Sequence, residues 1–190
     1  MNKKLDDLIN KYNDILNRNF VNSSSYFEWN TYRIFEKLGG YLSIERNFVI
    51  DKAGFPISHA KPGVEDFFVE YKEFFLLVEC SLRSGVTQVD YEGNSVIRHL
   101  KNKQNKTKKN CYALFLAPKI DLNLYKYYYI YKKTSPVLPL NIQQFSVFVK
   151  SLQGKMNSLY FLNFINSIIN YNTSMNKIET WVNHISKNIH

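Results

Sequence analysis

An α/β domain, a small mixed sheet flanked by helices, is the fold class the sequence predicts, on three observations. Helical and strand periodicities alternate along the chain: two helices, a strand, a hairpin, a helix, one or two further strands, then helices. The hairpin occupies the most apolar segment, PGVEDFFVEYKEFFLLVECSLRSG, residues 62–85. The 190 residues fit a single domain, 1–190, long enough to bury roughly two-thirds of its unfolded surface.

Taken in order, residues 3–18 read as a helix, with Leu5, Leu8, Ile9, Tyr12, Ile15 and Leu16 on one stripe. Ser23 to Ser25 open a second helix carrying Phe27, Ile34, Phe35 and Leu38, and Gly39-Gly40 ends it. YLSIERNFVI, 41–50, reads as a strand, and DKAGFPISHAKPG, 51–63, as a loop. The hairpin turns at Lys72-Glu73. After Gly85 the period becomes helical, with Val89, Gly93, Val96, Ile97 and Leu100 running up to the basic run KNKQNKTKK. CYALFLAP is a further strand, and the crossover through the helix makes it parallel to 74–82. YKYYYIYKK, 125–133, reads as another strand, or else as an aromatic surface. Asn141 caps a helix to about Leu152, and two more helices, near 157–171 and 174–188, follow.

Charge narrows the partners. Lys and Arg outnumber Asp and Glu by 25 to 16, and a net charge of +9 points to a polyanion, nucleic acid first and an anionic membrane second. No run of 18 apolar residues exists, and MNKKLDDLINKYNDIL is a polar amphipathic helix without a signal-peptide core, so a soluble, cytoplasmic protein with no membrane role is expected. Cys80 and Cys111 lie in apolar runs with no His or Cys at zinc spacing and read as buried thiols. Most of the 14 Phe are expected in the core, and those of the 14 Tyr that are exposed could serve a subunit interface or DNA.

Two carboxylates interrupt the apolar hairpin. With the turn at Lys72-Glu73, opposed residues have numbers summing to 145, and Asp66 and Glu79 meet that sum. Opposed side chains lie about 4.5–5.5 Å apart at Cβ, where like charges destabilise. Such a pair shares a proton or binds a cation, and two hard oxygen donors suit Mg²⁺. The alternative is a hairpin turning elsewhere, which leaves both acids on a solvated face, since Lys-Glu is a poor turn signal. Glu92 shares a polar helical stripe with Gln88, Ser95 and His99 and can point across the sheet edge, or can be a solvated helical residue. Glu28 completes Ser25-x-x-Glu28, which also satisfies a capping box. His59 reads as a solvated loop residue, though its loop could bring it to the acids.

Together Glu28, Asp66 in PGVED, Glu79 in VECS and Glu92 ahead of IRHL, spaced by 38, 13 and 13 residues, resemble the PD-(D/E)xK nuclease fold as elaborated in the AlwI-like group of Type IIS restriction and nicking endonucleases. The resemblance covers about residues 25–118, leaving a C-terminal strand and helical extension over 119–190. It implies a restriction-endonuclease-like core and a Mg²⁺-dependent DNA endonuclease subunit that hydrolyses one strand of duplex DNA. It also implies a heterodimer, in which a larger site-specific nicking subunit reads the target and cuts the other strand. Asp66, Glu79 and Glu92 would be the metal ligands, with Glu28 a fourth catalytic acid. The absence of a zinc finger, a helix-turn-helix or a second basic module agrees with target reading from elsewhere.

One position departs from the motif. The family's Lys, two residues after the second acid, is here Ser81, so the cationic role falls to Arg83, Arg98 or His99, each also readable as a phosphate contact or a surface residue. Lys101, Lys103, Lys106, Lys108 and Lys109 would bind backbone phosphates, or else form a solvated run at a helix end. A non-catalytic DNA-binding or scaffolding subunit on a decayed nuclease fold is the alternative function, and an aromatic protein-interaction module a third.

Overall fold

The computed structural model describes residues 3–152 and 157–189. It opens with a helical hairpin, α1 (Lys3–Leu16) and α2 (Ser23–Leu38). The predicted stripe of α1 is buried from Leu5 to Ile15, while Leu16 emerges at the helix end. Asn22 caps α2, its side chain accepting from the Ser25 N–H, and Gly39 at φ 67° closes it in the left-handed region that favours glycine. Tyr12 Oη and Thr31 Oγ1 lie 2.8 Å apart, and Asn30 Nδ2 donates to the Leu8 carbonyl at 2.8 Å, so buried polar groups fasten the two helices.

The strand expected over 41–50 is two strands. β1 (Ser43–Arg46) joins the main sheet, while β2 (Val49–Ile50) pairs with β3 (Pro56–Ser58) in a separate two-stranded ribbon. Asn47 makes the break: its N–H donates to the Asp66 carbonyl and its side chain to that of Glu65, while Phe48 turns into the core. Asp51 closes the ribbon, its Oδ1 accepting from the N–H groups of Ala53 and Phe55. Part of the expected loop is therefore strand.

β4 (Phe67–Glu70) and β5 (Phe74–Cys80) pair with Phe67 opposite Val78 and Glu70 opposite Phe75, and the Tyr71 N–H donates to the Phe74 carbonyl, so the turn falls on Lys72-Glu73 as expected. The apolar residues on both faces of β5 explain why the sheet is covered on both sides. After a π-helical turn, Val89–Gly93, α3 (Asn94–Gln104) crosses to β6 (Asn110–Ala117), parallel to β5 as expected.

The tyrosine tract is a correction. α4 (Leu122–Tyr131) is a helix, capped by Asp121, with Leu124, Tyr125 and Tyr128 buried on one face. The β-propensity of tyrosine favours a strand, but packing overrides it: Phe115 meets Tyr128, and Trp181 meets Tyr125 and Tyr129. The strand lies further on, as β7 (Val137–Asn141), parallel to β6. Pro139 obscures it in the sequence; β7 is an edge strand, where a missing N–H is tolerated. The order β1-β4-β5-β6-β7 gives an antiparallel half and a parallel half, a mixed sheet as expected.

α5 (Ile142–Ser151), α6 (Ser158–Ile169) and α7 (Ile178–Lys187) complete the chain, and Asn141 forms a full capping box with Gln144. Phe145 of α5 packs on Tyr12 and Phe35, and Phe161 of α6 on Phe74. One cluster of buried residues extends from Leu5 to Ile189. Among the described residues no helix is long and apolar enough to cross a membrane.

Candidate active site

The hairpin register puts Asp66 just before β4 and Glu79 near the end of β5, at the same end of the sheet. Asp66 is 8% exposed, and its Oδ2 accepts from the Cys80 N–H at 2.7 Å, which ties the two strand ends together. Burial pushes its carboxyl well up, and Glu28, Glu79 and Glu92 raise it further, against the lowering by the Cys80 N–H. Burial likewise pushes Glu79 well up, helped by Glu65, Glu92 and Glu28 and opposed by Arg98. All four predicted acids therefore converge at one place, with Glu28, Glu79 and Glu92 all near enough to Asp66 to raise it. Glu65, beside Asp66, adds a carboxylate that the sequence reading passed over; its adjacency to PGVED's Asp was the available signal.

Each acid is also held by a partner of its own. Glu28, 5% exposed in α2, accepts from or donates to His59 Nδ1 at 2.8 Å and accepts from the Ala60 N–H at 3.4 Å. Burial raises its carboxyl while His59 lowers it. The capping-box role does not form, since Asn22 takes that place. His59 is exposed as expected, at 46%, and yet not free: it latches its loop onto Glu28, with Ser25 Oγ at 3.2 Å from the same nitrogen.

Glu79 lies 2.6 Å from His99 Nδ1, and the His99 side chain is 6% exposed. Burial, then the nearby Arg98, lowers His99. A raised carboxyl and a lowered imidazole favour a net-neutral pair with one proton between them. His99 Nε2 is buried with no hydrogen-bond partner.

Glu92 sits in the π-helical turn, and the wider turn carries it to the sheet end. Ser81 Oγ donates to Glu92 Oε1 at 2.7 Å and Arg83 Nε lies 3.6 Å from the same oxygen. Arg83 also stacks over Tyr91 at 4.1 Å and is otherwise exposed. Gly93 permits the turn: an added Cβ would meet the Tyr127 ring at 3.1 Å. Tyr128 Oη donates to the Glu92 carbonyl at 3.4 Å.

Asp66, Glu79 and Glu92 share the site without closing into a cage. Among the described residues no group of three or more His, Cys, Asp or Glu side chains is drawn together tightly enough to hold one ion. The donor chemistry nevertheless fits a divalent cation, since the hard carboxylate oxygens of Asp66 and Glu79 face like charge, opposed at Glu79 by Arg98. Cys80 and Cys111 are free thiols; burial raises both, and Cys111 donates to the Lys109 carbonyl.

The basic run lies elsewhere. α3 leads away from Glu92, and Lys109 bonds Glu70 Oε1 and the Tyr71 carbonyl at the turn end of the hairpin. Lys103 lies over Phe68 and Phe75, and Lys101 over Tyr131, while Lys106 and Lys108 are exposed. The run is thus at the opposite end of β5 from Glu79.

Residues 1–148 match the family model described as AlwI restriction endonuclease. The fold is similar to the crystal structure of the small subunit (R.BspD6I2) of the heterodimeric restriction endonuclease R.BspD6I, at 38% identity and a TM-score of 0.90, over 96% of this chain and 98% of that one. No curated protein matches the chain.

Proposed function

The chain belongs to the AlwI restriction endonuclease family, and on that premise we propose that it is the catalytic small subunit of a heterodimeric Type IIS enzyme. It hydrolyses a phosphodiester in one strand of duplex DNA, while a larger, sequence-reading subunit nicks the other. The observation that carries this reading is the convergence of Glu28, Asp66, Glu79 and Glu92 at one end of the sheet, the first two buried, the last two partly so, and Glu28, Glu79 and Glu92 all raising Asp66. The full-length similarity to a small subunit supports the heterodimer.

Asp66 and Glu79, with Glu92 beside them, would hold the Mg²⁺. When bound, the ion lowers the pKa of a coordinated water and offsets charge gathering on the phosphate. The remaining residues position the ligands. The Cys80 N–H fixes one oxygen of Asp66, His99 fixes Glu79, and the Ser81 hydroxyl fixes Glu92. Such outer partners commonly govern metal affinity and ligand orientation. Ser81 thus has a role of its own where the family motif has Lys, and Arg83 and Arg98 supply positive charge nearby. Glu28, held by His59, sets the electrostatic floor of the site from α2.

A non-catalytic scaffold is the rival, favoured by Ser81 at the lysine position and by acids that do not close into a three-donor cage. A supercoiled-plasmid assay in Mg²⁺ separates the two, using this chain alone, its large subunit alone and both together. Nicked product from the large subunit and linear product only from the mixture is the expected result. Linear product that persists without this chain would reject the reading.

A further inference from the structure

The geometry points to a second functional surface: a basic groove across α1, α2 and the β2–β3 ribbon that binds the sugar-phosphate backbone of duplex DNA alongside the acid site. This deepens the nuclease reading and rests on it.

Two adjoining cavities make the groove, and Arg33 lines both. One, of about 430 Å³, lies between α1 and α2 and is lined by Lys4, Asp7, Leu8, Lys11, Arg33 and Lys37. The other, of about 390 Å³, lies between α2 and the ribbon, where Trp29, Arg33, Glu36, Arg46 and Phe55 are among its walls. Five cations therefore face two carboxylates. Among the described residues none of the five is in an ion pair; the acids that do pair take His59, Arg83, His99 and Lys109. Unpaired cations gathered in a concave surface concentrate positive potential rather than satisfying the fold.

Trp29 organises the groove. Its ring carries the Arg33 guanidinium at 4.7 Å and the Lys11 ammonium at 5.9 Å, and Phe55 packs on it at 5.8 Å. Lys11 and Arg33 are half-buried, so their positions are set by the ring, whereas Lys4, Lys37 and Arg46 are exposed. Cations held over an aromatic face retain free N–H donors for phosphate oxygens. From Trp29 to Lys37 the helix advances about 12 Å, which spans roughly three or four phosphates of one strand. No element here enters a groove to read bases, so the contact is to the backbone and indifferent to sequence.

Placement ties this surface to the acids. Trp29 follows Glu28 directly in α2, and the ribbon that supplies Phe55 continues into the loop that His59 latches onto Glu28. A strand lying in the groove is led toward the acid cluster. The lysine run at 101–109 has no such continuity: it sits at the other end of β5, where Lys109 is already paired with Glu70.

The test is binding, kept apart from cutting. Fluorescence anisotropy of a labelled duplex of arbitrary sequence, without divalent cation, gives the slope of log K against log salt for the full chain. Lys11→Ala/Arg33→Ala/Lys37→Ala should lower that slope by about 0.9 for each phosphate left unneutralised and weaken binding about tenfold to a hundredfold near 0.15 M salt. Lys4→Glu/Lys37→Glu, at the exposed rim, should shift it the same way without touching the packing on Trp29. The inference is overturned if the unaltered chain shows no salt-dependent binding, if both variants keep the slope, or if Lys106→Ala/Lys108→Ala lowers it while they do not. It is equally overturned if the groove variants lose only association with the large subunit. Groove variants that bind normally in a chain that still cuts would leave the nuclease reading standing.

Discussion

His99 shows how much of the site depends on single residues that are not themselves carboxylates. Its Nδ1 meets Glu79 at 2.6 Å inside the protein, so replacing it frees a carboxylate that no other side chain among the described residues holds. His99→Gln should cut activity and divalent-ion affinity roughly tenfold to a hundredfold, the usual effect of losing an outer partner. Mn²⁺ affinity measured beside the cleavage rate distinguishes this from a general loss of fold, which would move melting temperature and leave the affinity of the folded fraction alone. The acids carry a pH signature as well. Burial raises Asp66, Glu79 and Glu28, so their contribution to stability is fully present below their unfolded value of about 4 and is lost as pH rises through the folded values. His99, lowered by burial, has the opposite sign, its contribution being lost as pH falls below about 6.5. Above that pH only the acids' decline remains. In a divalent-free buffer the raised acids should lower the melting temperature as pH rises above about 4, and Mg²⁺ should restore more at higher pH because it binds ionised carboxylates. A Mg²⁺ effect that does not grow with pH contradicts the assignment. Legibility at this scale was uneven. Four acids were visible through spacing, but the His59 latch was not, because a loop histidine 31 positions from Glu28 gives no local signal.

At the scale of elements, the hairpin and the π-helical turn bring the acids together. The turn is tight against α4: a Cβ at Gly93 would stand 3.1 Å from the Tyr127 ring, which would have to shift by a few tenths of an ångström. Gly93→Ala should cost about 1–3 kcal/mol, the range for overpacking, and lower the melting temperature by about 2–4 °C for each kcal/mol. If the turn relaxes toward α-helix instead, stability holds and cleavage falls, since Glu92 swings away from Ser81. Either outcome is read by melting and cleavage together, and a variant normal in both contradicts the role given to the turn. Hairpin register was legible as one of two readings, since Lys-Glu is a poor turn signal, and the pairing of Phe67 with Val78 decides for the turn at Lys72-Glu73. The sequence points to a strand at α4 and to no element at β7 for physical reasons: Pro139 masks an edge strand, and a helix rich in tyrosine carries strand-like composition while its burial repeats at i, i+1 and i+4. The split of 41–50 was hidden for a related reason, since Asn47 breaks the strand through bonds to Glu65 and Asp66, contacts that exist only after folding.

For the molecule as a whole, the net charge of +9 is distributed with a purpose that composition cannot display. The sequence shows the lysine run at 101–109 because it is contiguous, and hides Lys4, Lys11, Arg33, Lys37 and Arg46 because they are scattered over three elements. The fold puts the run at the turn end of the hairpin and the scattered cations next to the helix that bears Glu28. The acids gather at the other end of the sheet, where Glu79 is one of three that raise Asp66. The decisive measurement is plasmid cleavage in Mg²⁺ by Glu79→Ala mixed with the unaltered large subunit. Loss of this chain's cut by on the order of a thousandfold, about 4 kcal/mol of transition-state stabilisation, should leave circular DNA nicked in one strand only. Linear DNA formed at the unaltered rate would contradict the account.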